Sequence, residues 1–317
     1  MLTSLHMASN DKISCAAELL RSGELVAFAT ETVYGLGADA TNADAVAAVF
    51  EAKGRPQFNP LIIHVADVKA ARRIVRFTKQ ADELAEQFWP GALTLVLPRT
   101  ENCQVSFLAS AGLSTLAVRI PSKESTHDFL QEAGVPVAAP SANKSGRVSP
   151  TEAAHVTEAF GNEISMILDD GSCPIGVEST VLDLTKSKPV ILRHGGITLE
   201  EVKTVTGEVS QAKQSSPTIA SPGMLSTHYA TMAPLRLGIK TVFKDEALLA
   251  FGKKIPDHHG PMLNLSADRN LREAAANLFG MMRQLDKFKP KAIAAMPIPE
   301  TGLGAAINDR LKRAASC

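Results

Sequence analysis

Residues that could carry chemistry gather in a few short segments. The first is Lys53-Gly54-Arg55-Pro56 with Asn59. Arg can grip phosphate oxygens as a fork, and Lys acts as a point charge. The same pair of cations also suits a helix C-terminus, where it complements the macrodipole. The second segment is Pro140-Ser141-Ala142-Asn143-Lys144-Ser145-Gly146, continuing to Ser149-Pro150-Thr151. Hydroxyls and backbone N–H groups ahead of a helix bind phosphate readily, though a polar surface turn has the same composition. The third is Thr30–Gly37, where two glycines permit close backbone approach and Thr32 and Tyr34 could hold a small polar ligand. Arg119 could meet a carboxylate, with Thr115 on the same strand face, or be an edge-strand surface arginine. Gly176-Val177-Glu178-Ser179-Thr180 and Arg193-His194-Gly195 stand at strand ends and are weak signals singly. His64 lies within an apolar strand, where a satisfied core histidine is the usual explanation, and His258-His259 reads as solvated.

Several chemistries find no pattern here. There is no Walker A loop, no third glycine for a dinucleotide fingerprint, no GxSxG elbow and no zinc-ligand spacing. A covalent nucleophile and a protein-held metal are therefore not expected.

The elements that must position these segments alternate. Strands are expected at 24–29, 61–65, 93–97, 115–119, 135–139, 164–168, 180–184 and 190–193. A helix capped by Asn42 runs to about Lys53, with Gly54 at its C′ position and Pro56 stopping it. Further helices are expected at 68–76, 80–88 and 124–133. Ser149-Pro150-Thr151-Glu152 reads as a helix start, and Thr198 to Glu201 as a capping box. The segment 30–37 reads as a loop. The fold class is α/β or α+β with a mixed twisted sheet over residues 1–206. Residues 207–230, rich in Ser, Thr, Pro and Gly, read as a linker. Residues 231–317 read as a small Rossmann-like α/β domain, with strands at 235–239, 261–265 and 291–296 and helices at 244–252, 270–287 and 304–315.

The totals agree with two domains. The chain has 317 residues, 45% hydrophobic and 21% charged, with zero formal net charge. A broad nucleic-acid footprint is not expected, though a local basic pocket is possible. Four cysteines at irregular spacing read as free thiols in a reducing compartment. No apolar run reaches the length of a membrane helix, and the N-terminus lacks a signal-peptide pattern, so a cytoplasmic location is expected.

Taken together and in order, ATETVYGLG (29–37), KGRPQFNPLIIHV (53–65), FWPGALTLVL (88–97), VRIP (118–121), APSANKSGRVSPT (139–151), GVESTV (176–181), ILRHGG (191–196) and SPGMLSTHYA (221–230) resemble the YrdC-like family in its long, two-domain form. GLGAAINDRLKRAA (302–315) is similar to the end of that form's second domain. The resemblance implies synthesis of threonylcarbamoyl-AMP and pyrophosphate from L-threonine, bicarbonate or CO2, and ATP with Mg2+. The product would serve tRNA modification through a separate threonylcarbamoyl transferase complex, with direct tRNA binding weak or absent. By resemblance, Lys53 and Arg55 clamp the triphosphate and carry catalysis, and Asn59, Ser141, Asn143, Ser149 and Arg193 contact the nucleotide. Thr115 is expected at the nucleotide or the threonine. Thr32, His64, Arg119, Ala139 and Ser179 form the threonine pocket, with Arg119 on the carboxylate. The linker is expected to fold over the cavity, bringing His228 and Tyr229 to the nucleotide. Leu225-Ser226-Thr227 departs from the family, which has basic or aromatic residues there. Two rivals remain. One is a carbamoyl phosphate enzyme of the same fold; the other is an RNA-binding or ribosome-associated module using the same basic cavity.

Overall fold

The computed structural model describes residues 5–7, 9–212, 228–239 and 241–317. The first part runs β1 (Leu5–Met7), α1 (Asn10–Arg21), β2 (Val26–Phe28), β3 (Gly35–Asp39), α2 (Ala43–Lys53), β4 (Ile62–His64), α3 (Val68–Ile74), α4 (Lys79–Phe88), β5 (Leu93–Pro98) and β6 (Thr115–Arg119). It continues with α5 (Glu124–Ala133), β7 (Val137–Ala138), α6 (Ala153–Phe160), β8 (Met166–Asp169), β9 (Thr180–Asp183), β10 (Val190–Arg193), α7 (Leu199–Thr206) and β11 (Ser210–Gln211). The second part holds β12 (Leu235–Arg236), β13 (Ala247–Ala250), β14 (Met262–Asn264), α8 (Leu271–Lys287), β15 (Ile293–Ala295) and α9 (Leu303–Ala315).

Among the described residues the strands form two sheets, which settles the fold class as mixed α/β. The larger has 11 strands in the order β1-β8-β2-β3-β7-β4-β6-β5-β9-β10-β11, with parallel and antiparallel pairings mixed. The smaller is parallel throughout, in the order β12-β15-β13-β14. Leu36, Val49, Ile63, Leu95 and Val118 belong to a large buried core under the first sheet. On the other face, Ile62, Val96, Ala117 and Val181 make a small apolar patch, beside a separate cluster in which Val26, Phe28 and Val137 pack against α1 and α5.

Local chemistry explains the helix that carries the first motif. The Asn42 side chain accepts from the Asp44 and Ala45 N–H groups, so the helix starts where its orphan donors are met. Gly54 ends it in the left-handed conformation, with φ 60°. The Thr198–Glu201 capping box is also present.

Three expectations need correction. Residues 244–252 contain β13, a strand, where a helix is expected. Ala247–Ala250 is buried between β15 and β14, and such a strand reads as a continuous apolar run without alternation. The expected loop at 30–37 gives way to β3 from Gly35, because Gly35 pairs with Phe28. The helix start at Ser149 is displaced: α6 begins at Ala153 with Glu152 as N-cap and no side-chain cap bond. Much of the expected linker, including Ser221–Met224 and Leu225-Ser226-Thr227, lies outside the described residues.

Candidate active site

A small cavity opens where the strand ends of the large sheet converge. It is lined by the loop after β2 (Thr30, Thr32, Val33), Ile62 and His64 of β4, and Arg119 ending β6. Ala139-Pro140-Ser141, Glu178-Ser179, Arg193, Arg55 and His228 complete it. Residues spread over the chain from Thr30 to His228 therefore meet at one place.

One half of the cavity is built around Arg119. Register pairs it with His64 on parallel neighbouring strands. The Arg119 guanidinium donates to the Glu31 carboxylate at 2.6 Å, to Thr32 Oγ1 at 2.9 Å and to the Gly91 carbonyl at 3.1 Å. Glu31 and Arg119 are both buried, so each balances the other's charge. His64 is held down at about 3, first by burial and then by Arg119, so its ring is neutral near pH 7. Its Nδ1 is buried without a hydrogen-bond partner. The Ile62 and Val137 backbones lie against the ring, and the unpartnered Nδ1 is the atom a ligand's donor would satisfy. Ser179 shares a hydroxyl pair with Thr94 at 2.7 Å. The Ala139 N–H donates to the Ile62 carbonyl, fixing the loop that leaves β7.

The other half separates Lys53 from Arg55. Lys53 does not line the cavity; its Nζ donates to the Ser141 carbonyl at 2.5 Å and to that of Asn143. It sits buried, held well below its ordinary value by burial and then by the neighbouring Arg55 and Lys144. It braces the Ser141–Ser145 loop, so the expected two-cation clamp is divided between a brace and a wall. Arg55 is the wall. Its Nε and Nη2 donate to the Asn59 and Pro60 carbonyls at 3.2 and 3.1 Å. Burial and the nearby Arg193 push it down to about 10, so it stays protonated. Arg193 donates to the Ser179 carbonyl at 2.9 Å and to its hydroxyl at 3.1 Å. Asn143 folds its amide onto the Lys144 and Arg147 carbonyls, and its Oδ1, like that of Asn59, is buried without a partner.

Other expected residues are placed less directly. Ser149 donates to Glu178 Oε1 at 2.6 Å instead of capping a helix, and it does not line the cavity. Thr115 opens β6 on the face of Arg119 and is not among the lining residues. His228 lines the cavity with its Nδ1 unpartnered, and is held down to about 3 by burial. Tyr229 lies behind it, with ring centroids 4.2 Å apart, and stacks on Phe279 of α8. The linker's far end thus does reach the cavity.

Two contributors escaped the sequence. Glu31 stands inside the Thr30–Gly37 loop and meets Arg119, and Arg310 stands on the amphipathic α9 and meets Glu178. The signal for Arg310 was its position: it falls on the apolar stripe with Ile307, Leu311 and Ala314.

Three guanidinium groups around a cavity with an unpartnered imidazole nitrogen, on an α/β fold, suit a small ligand bearing anionic oxygens. The relatives agree. Residues 18–195 match the Sua5/YciO/YrdC family model, described as "Telomere recombination", and residues 197–316 match "Threonylcarbamoyl-AMP synthase, C-terminal domain". The chain belongs to the Sua5/YciO/YrdC family. It is 43% identical to a threonylcarbamoyl-AMP synthase of Pyrococcus abyssi, covering 96% of this chain and 94% of that protein. It is 42% identical to one of Bacillus subtilis, covering 98% and 94%. The crystal structure of P. abyssi Sua5 complexed with L-threonine matches with a TM-score of 0.90 at 40% identity, covering 97% of this chain and 95% of that one.

Proposed function

We propose that this chain is a threonylcarbamoyl-AMP synthase, joining L-threonine, bicarbonate or CO2, and ATP with release of pyrophosphate. The observation that carries the reading is the gathering of Arg55, Arg119 and Arg193 around one cavity, in a chain so similar to named synthases.

The chemistry needs no enzyme nucleophile. The threonine amine attacks CO2 and gives up one N–H proton to solvent, leaving an N-carboxylate. One oxygen of that carboxylate attacks the α-phosphorus, and the bond to the β-phosphate oxygen breaks as pyrophosphate leaves. Catalysis then rests on positioning and on charge stabilisation. Arg119, oriented by Glu31 and Thr32, would hold the threonine carboxylate, and neutral His64 would offer Nδ1 beside it. Arg55 and Arg193 would hold the triphosphate and its developing charge. Lys53 would act through the Ser141–Asn143 backbone. Ser149, Asn59, Asn143, Thr115, His228 and Tyr229 are proposed nucleotide neighbours, and Ala139 and Ser179 threonine neighbours.

Magnesium fits as a passenger of the nucleotide. The cavity wall offers guanidinium groups and one carboxylate, Glu178, already engaged by Ser149 and Arg310. Such a wall suits anionic oxygens, so the metal would be held by phosphate and water and would neutralise triphosphate charge. The product would pass, in the cytoplasm, to a tRNA threonylcarbamoyl transferase complex. The four free thiols suit that compartment.

The test is pyrophosphate release by the purified chain. Release that requires L-threonine, bicarbonate and ATP together is expected. Release indifferent to threonine overturns the reading.

A further inference from the structure

We propose that Arg310 is a positioning residue through which the C-terminal domain holds the nucleotide wall of the cavity in place; this rests on the synthase reading above. Arg310 sits midway along α9, on the stripe formed by Ile307, Leu311 and Ala314, and is fully buried. A buried guanidinium must be answered by acceptors, and most of those here belong to the other domain. Its Nε and Nη2 each lie 3.0 Å from Glu178 Oε2, and its Nη1 donates to the His194 carbonyl at 2.6 Å. Asp309 at 2.9 Å is the local partner.

Both outside acceptors adjoin the cavity. The other oxygen of Glu178 accepts from Ser149, and the next residue, Ser179, receives Arg193. His194 follows Arg193 directly. One side chain of α9 therefore sets two strand ends that carry proposed nucleotide contacts. It also lies over the ring of Tyr229, at 5.6 Å, behind the cavity-lining His228.

The same domain grips this wall at two further points. Val177 is fully buried in a cluster with Leu278 and Phe279 of α8. Gly176, at φ 74°, lies so close to α8 that a Cβ would stand 2.4 Å from the Ala275 carbonyl oxygen. Gly176, Val177 and Glu178 are thus three consecutive residues seated on the C-terminal domain, immediately before Ser179 enters the cavity. A buried ion pair that only glued domains together would have no reason to end on the neighbours of Ser149 and Arg193.

The experiment compares the full-length chain with R310K, R310M and the double variant R310M/E178Q. R310K keeps a charge for Glu178 but loses the fork that also reaches His194. It is expected to fold, with the KM for ATP raised about tenfold to a hundredfold and the KM for L-threonine little changed. R310M leaves a buried carboxylate unanswered and is expected to fold poorly. The double variant removes both charges, so it should recover the Tm lost by R310M and still bind ATP weakly. ATP affinity measured directly by calorimetry gives the same comparison without turnover, so a wild-type chain that releases no pyrophosphate would sink the synthase reading and leave this one decidable. Wild-type ATP affinity in folded R310K, or in the folded double variant, overturns the proposal. So does a loss of activity that only follows the fraction of folded protein.

Discussion

Arg55 and Lys53 stand two residues apart in sequence and do different work. Arg55 faces the cavity, while Lys53 holds backbone carbonyls of the Ser141–Asn143 loop. Arg55→Ala should cut turnover by about a hundredfold or more, the cost of removing one donor aimed at developing charge. The circular dichroism spectrum should stay unchanged; near-normal turnover would remove Arg55 from the nucleotide wall. Arg119→Lys should raise the KM for L-threonine more than that for ATP, because Lys cannot meet Glu31, Thr32 and a carboxylate with one planar fork. Steady-state kinetics with each substrate varied in turn decides this. Equal changes in both KM values would place Arg119 outside the threonine pocket.

At the scale of elements, α2 delivers Lys53 and Arg55 because its two ends are chemically fixed. Asn42→Ala removes the acceptor for two N–H groups and should cost about 1 kcal/mol. Chemical denaturation should show that loss with the ATP KM unaltered, since the cap lies at the helix end remote from the cavity. A stability equal to wild type would mean that tertiary packing alone starts the helix. Caps and turns of this kind were legible in the sequence because they are local. The strand at β13 was not: Ala and Leu favour helices, and burial by neighbouring strands overrides that preference.

The whole molecule carries a pH dependence. His64 and His228 are each depressed from 6.5 to about 3, and His155 to about 4, chiefly by burial. The unfolded chain therefore binds protons that the folded chain refuses, and stability falls as pH drops below about 6.5. Glu178 acts in the same direction at lower pH. Burial raises it, but Arg310, Arg193 and the Ser149 bond outweigh that and bring it to about 2. Its contribution is present above its unfolded value and is lost as pH falls toward 2. Each buried imidazole should cost roughly 2 kcal/mol by about pH 5. Unfolding free energy measured by urea titration between about pH 7 and 5 should decline accordingly; a flat profile would show that these three rings are not buried neutral. Deleting residues 221–317 should impair catalysis, because it removes both His228 and the Arg310 partner of Glu178. An unchanged rate in the shortened chain would count against both contacts.

The sequence by itself determined the α/β class, the helix carrying the Lys53–Arg55 segment, and the polar loops on which the site is built. It did so because periodicity, capping residues and turn residues act over a few positions, and because the ordered motifs resemble a family. Only the tertiary structure decided what each side chain faces. It turned Lys53 inward to a loop, gave Ser149 to Glu178 instead of a helix N-terminus, and left His64 with an orphaned nitrogen. It also brought Arg310 across from the second domain to Glu178, 132 residues away in sequence. The physical reason is that hydrogen bonds and desolvation depend on which distant groups share a buried space, and no spacing along the chain encodes that directly.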